Sequence, residues 1–397
     1  MKITQKTNFN YINNNFASNK INNKNVAANN FCLHTSPNAY YNCGEISFCK
    51  KKLNDITADK NYDKYLGCIL GGAIGDAFGA PVEFMKRNKI HRYFGSPGVT
   101  KLYHDKRTRE YKFTDDTQLT MFTIYGLLKS TKRKYESPQY NIMFDAYRDW
   151  YKMCAEGKRI KKGWITDLDK MRGTDGSGKT CMSVLSQDKF GTTKDPINLS
   201  KSSGAIMRTA PIGLYYKNPK KAFEVAVNTA ALTHGHPSAY YSAGAYAVII
   251  SEILNGHTIP EAVEECITLL RKENNTKEVI DELVLAQNLA STDEVMPLKA
   301  INQLGKGWDG HEALGIAVYC ALKTPNDLKM ALINSVNHDG DSDTVGSITG
   351  GIIGTSIGYE NIPDEFKNKI MLEKELKTLA QDLFLGPDKI HGYNKRY

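Results

Sequence analysis

Asn337-His338-Asp339-Gly340-Asp341-Ser342-Asp343-Thr344-Val345-Gly346 sets three carboxylates on alternate positions, just before a Gly- and Ile-rich run from Ser347 to Gly358. Carboxylates this dense repel one another unless something positive sits between them. A hard divalent cation, which prefers oxygen ligands, is the usual answer. For an isolated D-x-D, a solvated acidic turn is the better explanation. Here the residues that follow are apolar and small and read as core, so the acids are carried to the edge of a buried helix.

A second acidic cluster answers the first. Thr114-Asp115-Asp116-Thr117 opens a helical pattern from Gln118 to Lys129, with Leu119, Phe122, Leu127 and Leu128 spaced for one buried face. Asp115 with Gln118 three residues on reads as a capping box. Capping explains one Asp and leaves Asp116 over. Two acid-plus-threonine clusters, each at a helix start, are suited to share a two-metal site.

Tyr65 to Phe84 reads YLGCILGGAIGDAFGAPVEF. Gly67, Gly71, Gly75 and Gly79 fall on every fourth position, and Gly346, Gly350, Gly354 and Gly358 repeat the device after the acidic stretch. A glycine ridge lets another backbone come close, and each Gly costs about 1 kcal/mol relative to Ala inside a helix. Two such ridges predict two helices packed on each other at the centre of the fold. Glu83, alone, would be a surface residue; beside two acidic clusters it becomes a candidate acid, base or metal-shell group.

At 397 residues the chain can bury a large core. Hydrophobic residues make up 41%, and no apolar run reaches the roughly 18 residues of a membrane span. The N-terminus lacks the pattern of a cleaved secretory signal. The formal charge is +9, but residues 1–52 hold seven Lys against one Glu, leaving only +3 for the remaining 345 residues. A nucleic-acid face on the body is therefore not expected. The eight cysteines form no C-x-x-C pair. Free thiols in a reducing, cytoplasmic setting are the expectation.

Residues 1–52 contain 13 Asn and little apolar periodicity. They read as a flexible extension, with the boundary placed at residue 58 and the body at 59–397. The plainest role is a dispensable tail. A non-cleaved export signal or a partner-binding arm are the sharper ones, the latter fed by Phe31, Tyr40, Tyr41 and Phe48. In the body, residues 138–152, 219–233, 238–255, 260–273, 277–290, 310–323 and 325–336 carry helical periodicity. Pro138, Pro237, Pro260 and Pro325 stand at or near first turns, and Gly235 suits a helix end. No series of alternating strands appears, so the body is expected to be all-α.

Gly173 to Thr180 reads GTDGSGKT and fits the P-loop pattern. The preceding residues 166–172 are too polar for the buried strand that a P-loop needs, so a nucleotide-hydrolysing P-loop is rejected. Gly178, Lys179 and Thr180 stay as ligand candidates because a Gly-rich nest suits a diphosphate. Ser202 to Arg208 is a small-residue loop entering an apolar helix, whose free N–H groups suit a phosphate or sugar; an ordinary helix start explains it equally. In Thr233-His234-Gly235-His236, a ligand-contacting or capping His234 is favoured over zinc, since no Cys or Glu stands at a suitable spacing. Trp164 and Trp308 are read as packing residues.

With these residues in view the chain resembles the ADP-ribosylglycohydrolase family, including the dinitrogenase reductase-activating glycohydrolases. The resemblance covers roughly 62–360. It rests on the ordered combination of GGAIGDAFGAPVEF (71–84), FTDDTQLT (113–120), GSGKT (176–180), SSGAIMRTAPIG (202–213), LTHGHP (232–237) and HDGDSDTVGSITGG (338–351). It implies an orthogonal all-α multi-helix bundle with two Mg²⁺ (or Mn²⁺) ions in a cleft. The implied metal ligands are Thr114, Asp115, Asp116, Asp341, Asp343 and Thr344. Gly178, Ser203, Gly204 and His234 match positions lining the ADP-ribose, and Glu83 matches a Glu near the ribose. Ser202-Ser203 and Lys179-Thr180 depart from the commoner family residues, which touches substrate detail rather than the metal set.

The expected reaction is hydrolysis at C1″ of the distal ribose of a mono-ADP-ribosylated protein, releasing ADP-ribose. Asp343, Asp116 and Glu83 are the catalytic candidates: Asp343 or Glu83 to activate water, and neighbouring carboxylates to stabilise positive charge on the sugar. Arginine linkages come first. Serine linkages or an O-acetyl-ADP-ribose ester are the enzymatic alternatives, and an immunity-type role, with the N-terminal arm blocking an ADP-ribosylating toxin, is the binding alternative.

Overall fold

In a computed structural model the described residues are 59–131, 138–154, 156–160, 162–172, 177–292 and 294–397. The expected extension, 1–58, and the first half of the GTDGSGKT motif lie outside them. Helices α1 (Lys60–Gly79) and α2 (Arg87–Phe94) lead to α3 (Asp115–Thr131) and α4 (Tyr140–Cys154). Short 3₁₀ turns and α5 (Lys179–Leu185) precede α6 (Ala210–Tyr215), α7 (Pro219–Ala231) and α8 (Pro237–Leu254). Next come α9 (Ile259–Leu270), α10 (Lys277–Ala290), α11 (Pro297–Leu304), α12 (Gly310–Lys323) and α13 (Leu328–Val336). The chain closes with α14 (Ser342–Ile357), α15 (Glu373–Leu385) and α16 (Tyr393–Arg396). Among the described residues only two isolated bridges interrupt the helical pattern, Tyr111 with Ile370 and Ser202 with Asp309. The fold is all-α, as expected.

The two glycine ridges do meet. A Cβ built on Gly67 would lie 2.1 Å from the Gly354 carbonyl oxygen, one on Gly71 2.3 Å from that of Gly350, and one on Gly79 2.3 Å from that of Ser342. Each step forward along α1 matches a step back along α14, so the pair is antiparallel. Backbone-to-backbone contact over four turns offsets the intrinsic helix penalty of the glycines. The consequence for the site is direct. The C-terminal end of α1 is pinned against the N-terminal end of α14, which brings the turn holding Glu83 to the stretch holding Asp341 and Asp343.

A third helix start is tied to the same place. Asp76, buried on α1, accepts hydrogen bonds from the N–H of Thr114 (2.9 Å), the N–H of Thr117 (3.0 Å) and the hydroxyl of Thr117 (2.6 Å). These are donors at the start of α3 that no intrahelical carbonyl can satisfy. The expected Asp115–Gln118 capping box is accordingly not formed. Asp115 is the first helical residue, and Gln118 Oε1 instead accepts from the Trp150 indole at 2.8 Å, joining α3 to α4. Around this centre α15 packs on α1 through Phe384 against Tyr62 and Tyr65, while α8 packs on α7 and α9.

Helix starts follow local chemistry with small shifts. Pro237 and Pro260 do occupy first turns, whereas Pro138 and Pro325 precede α4 and α13, the latter capped by Asp327. Gly235 is not a helix end: α7 stops at Ala231, and Gly235 instead lies so close to Asn198 that a Cβ would meet its carbonyl oxygen at 2.1 Å. The described cysteines Cys68, Cys154, Cys181, Cys266 and Cys320 are free and buried.

Candidate active site

Three chain segments converge on one cleft of about 420 Å³, within the range of small-molecule sites. The turn after α1 supplies Glu83, the start of α3 supplies Asp115 and Asp116, and the start of α14 supplies Asp341, Asp343 and Thr344. Carboxylate oxygens of Glu83, Asp341 and Asp343 lie within 4.8 Å of one another. Thr114 sits just behind, its hydroxyl donating to Asp116 Oδ2 at 3.2 Å. Asp339 is not part of this group. It is exposed and accepts the Arg87 N–H at 2.5 Å, so alternate spacing brings only Asp341 and Asp343 inward.

The electrostatics of this group are one-sided. Asp115, Asp116, Asp341 and Asp343 are all buried. Burial raises the carboxyls of Asp116 and Asp343 well above the usual range, with Asp343 acting on Asp116 and Asp341 on Asp343 next. Asp115 is pushed to about 8 by burial and then by Asp343. Asp76 is pushed to about 7 by the same two causes, against the opposing hydrogen bonds from Thr117 and Thr114. Glu83 is raised by burial and by Asp343, Asp341, Asp115 and Asp116. Asp115 Oδ2 and Asp116 Oδ1 are buried without any hydrogen-bond partner. Buried acceptors are rarely left unpaired. A hard cation with several oxygen ligands would satisfy these oxygens and favour the charged carboxylates at once. The side chains present therefore fit a divalent cation.

Among the described residues the opposite wall carries hydroxyls, a histidine and one cation, Lys179. Ser203 donates its hydroxyl to Asp341 Oδ2 at 2.5 Å. Its N–H is not free for a phosphate, because it donates to the Trp308 carbonyl at 2.9 Å. Ser202 to Arg208 is also not the start of a long helix: a 3₁₀ turn at Ser203–Ala205 precedes α6. His234 is buried, with Nε2 2.9 Å from the Ser202 hydroxyl and Nδ1 2.9 Å from the Thr233 hydroxyl. Burial, then the nearby Arg208 charge, lowers its pKa to about 3, so the ring is neutral. His236, rather than His234, is the helix cap, accepting the Ser238 N–H on Nδ1 at 3.1 Å. Gly178, Lys179, Thr180, Ser203, Gly204 and His234 all line the cleft, and Thr180 reaches the Ser200 hydroxyl at 2.9 Å. Among the described residues no strand precedes Gly178; 3₁₀ turns stand at Trp164–Asp167 and Asp169–Met171.

Sequence reasoning missed four residues here. Asp76 positions Thr114 through bonds 38 residues away, and only its charge inside an apolar glycine helix hinted at it. Arg208 is fully buried, stacked over the Tyr147 ring at 4.2 Å, and donates to Thr233 at 2.6 Å, thereby fixing the His234 partner. Phe84 and Trp308 line the cleft and stack with ring centroids 5.2 Å apart, 17° from parallel. Trp308 was expected in packing; it stands instead at the cleft mouth.

Comparisons with known proteins identify the family to which this fold belongs. The family model described as ADP-ribosylglycohydrolase matches residues 57–390. ADP-ribosylhydrolase ARH3 of Bos taurus is 24% identical, covering 82% of this chain and 93% of its own. ADP-ribosylarginine hydrolase Tri1 of Serratia proteamaculans is 23% identical, covering 84% and 82%. The ADP-ribosyl-[dinitrogen reductase] glycohydrolase of Rhodospirillum rubrum is 24% identical, covering 82% and 96%. Among solved structures, one titled ADP-ribosylglycohydrolase-related protein complex superposes with TM-score 0.53 at 22% identity, over 83% of this chain and 99% of that one, and so shares the fold. The family match spans the whole cleft and all three carboxylate-bearing segments: the chain belongs to the ADP-ribosylglycohydrolase family.

Proposed function

We propose that the protein hydrolyses the bond between ADP-ribose and a modified protein side chain, with arginine as the preferred linkage, and that residues 59–397 form the catalytic domain. The observation that carries this reading is the buried oxygen set at two helix starts, with unpaired oxygens on Asp115 and Asp116. Thr114, Asp115, Asp116, Asp341, Asp343 and Thr344 would hold two divalent cations, Mg²⁺ by preference with Mn²⁺ as substitute. Such ions supply Lewis acidity toward ribose hydroxyls and a template that fixes the sugar.

The chain's own residues do the rest. Ser203 holds Asp341 in place through its hydroxyl. Asp76 fixes the start of α3, and with it Thr114 and Asp116. Gly178, Lys179, Thr180, Ser203, Gly204 and neutral His234 form the wall against which the diphosphate and riboses lie. Glu83 sits on a turn rather than at a helix start and is only half buried. That placement suits a proton carrier, taking a proton from the attacking water or returning one to the leaving nitrogen. Asp116 and Asp343 flank the sugar and stabilise the positive charge that grows on C1″ as its bond breaks.

Arginine is favoured because its guanidinium is cationic and the cleft is acidic, and because two relatives of similar coverage carry an arginine or dinitrogen-reductase substrate in their names. The test is ADP-ribose release by the wild-type protein in Mg²⁺, from an arginine-linked and a serine-linked substrate side by side. Faster release from arginine supports the reading; release from neither sinks it.

A further inference from the structure

Two large aromatic residues stand at the mouth of the cleft, and packing does not account for them. Phe84 is 70% exposed and Trp308 36% exposed, yet each lines the cleft. Trp308 is held by its loop, and Phe84 stacks on it. Phe84 has φ +60, a left-handed backbone that a bulky residue rarely adopts. Such outliers persist where the surroundings over-determine them and where function uses them. Trp308 ends a loop whose Lys306 and Gly307 N–H groups both donate to Glu312 Oε2 at 3.1 Å. The same loop accepts the Asp341 N–H on Lys306 O at 2.8 Å and the Ser203 N–H on Trp308 O. The backbone that carries the indole is thereby fastened to the carboxylate centre on one side and to the sugar wall on the other.

Position decides which part of a substrate meets this pair. Phe84 directly follows Glu83, and consecutive Cα atoms are only about 3.8 Å apart. Glu83 in turn lies within the Asp341–Asp343 group. The bond to be cut must sit at that group. The adenine is separated from C1″ by a ribose, a diphosphate and a second ribose, so it lies far from Glu83. What lies beside the cut bond, toward solvent, is the side chain being released. The lining is also acidic: Glu83 and Asp309 stand in it with Asp115, Asp116, Asp341 and Asp343, against Lys179 as its one cation among the described residues. An acidic lining with flat aromatic faces favours a planar cation, and arginine's guanidinium stacks on aromatic rings where a serine cannot.

We propose that the Phe84–Trp308 pair is the platform for the leaving side chain, holding a guanidinium and setting the preference for arginine over serine linkages. This rests on the hydrolase reading above and deepens it. The test is steady-state kinetics of the full chain with Mg²⁺ on arginine-linked and serine-linked ADP-ribosyl peptides, with free ADP-ribose binding measured by calorimetry. Wild type, Trp308→Leu and Trp308→Phe are compared, each checked for an unchanged melting temperature.

Trp308→Leu is expected to raise KM for the arginine linkage about ten-fold, the loss of one cation–π contact. The serine-linked KM and the ADP-ribose Kd stay within two-fold of wild type, and Trp308→Phe recovers most of the loss. Equal loss on both linkages, weakened ADP-ribose binding, or a wild type that prefers serine would each overturn the platform. If Trp308→Leu does not fold, Trp308→Phe and Phe84→Leu carry the same comparison. Failure of wild type on both linkages is a separate result: it removes the hydrolase reading and the platform with it.

Discussion

Gly75 of α1 and Gly346 of α14 meet backbone to backbone: a Cβ on Gly75 would lie 2.0 Å from the Gly346 carbonyl oxygen, and one on Gly346 2.4 Å from that of Gly75. Gly75 neighbours Asp76, and Gly346 lies three residues beyond Asp343. Close packing here is what sets the distance between the carboxylate-bearing segments.

Gly75→Ala or Gly346→Ala forces the helices apart. The gain in helix propensity is about 1 kcal/mol, and overpacking costs about 1–3 kcal/mol or more. Urea unfolding should show net destabilisation in both. Gly72→Ala is the internal control, because its Cβ would find ordinary contact with Ser347 O at 3.5 Å. It should leave stability unchanged or raise it, and destabilisation as large as that of Gly75→Ala would contradict the ridge account.

Asp76→Ala strips the start of α3 of its acceptor. Buried donors left unpaired cost about 1–3 kcal/mol each. Since the same bonds place Thr114 and Asp116, Mg²⁺ affinity should fall about ten-fold by calorimetry, although Asp76 is not itself among the proposed ligands. Loss of stability with unchanged Mg²⁺ affinity would leave Asp76 a purely structural cap.

Asp343→Asn separates site chemistry from folding. In wild type the folded carboxyl titrates far above its unfolded value, so stability falls as pH rises past about 4. Without Mg²⁺ at pH 8 the variant should therefore be more stable than wild type. Wild type should gain about 2.7 kcal/mol when Mg²⁺ stands at a hundred times its Kd, and the variant much less. A wild type that Mg²⁺ does not stabilise would refute the metal set.

His234 gives the opposite pH sign. Its folded pKa is lowered to about 3 from 6.5, so the unfolded chain binds the extra proton. Its contribution is complete above pH 6.5 and is lost as pH falls toward 3, at up to about 1.4 kcal/mol per pH unit. Relative to wild type, His234→Gln should gain stability progressively between pH 6.5 and 3 in matched denaturation curves. A pH-independent difference would mean that the ring is not held neutral.

Much of this was legible from local pattern. Glycines at every fourth position state their own helix face, and the same pattern twice in one chain implies the partner. Threonine-plus-acid clusters at two helix starts announced themselves because nothing local could neutralise them. What escaped depends on long-range pairing. Gln118 looked like a cap for Asp115 because the indole of Trp150, 32 residues on, is invisible in a local window. Ser203 looked like an anion site because its N–H partner, Trp308 O, lies on a distant loop. Asp339 looked equivalent to Asp341 until the fold turned it outward to α2. Trp308 was discounted because exposure follows from the tertiary fold and not from composition.

The most direct test of the central claim is ADP-ribose release from an arginine-ADP-ribosylated protein as Mg²⁺ is titrated into metal-stripped enzyme, for wild type and for the Asp341→Ala/Asp343→Ala double variant. The account predicts saturable, Mg²⁺-dependent release by wild type and loss of at least about a thousand-fold in a double variant that remains folded. Release that persists in the folded double variant, or that proceeds equally without metal, would contradict it.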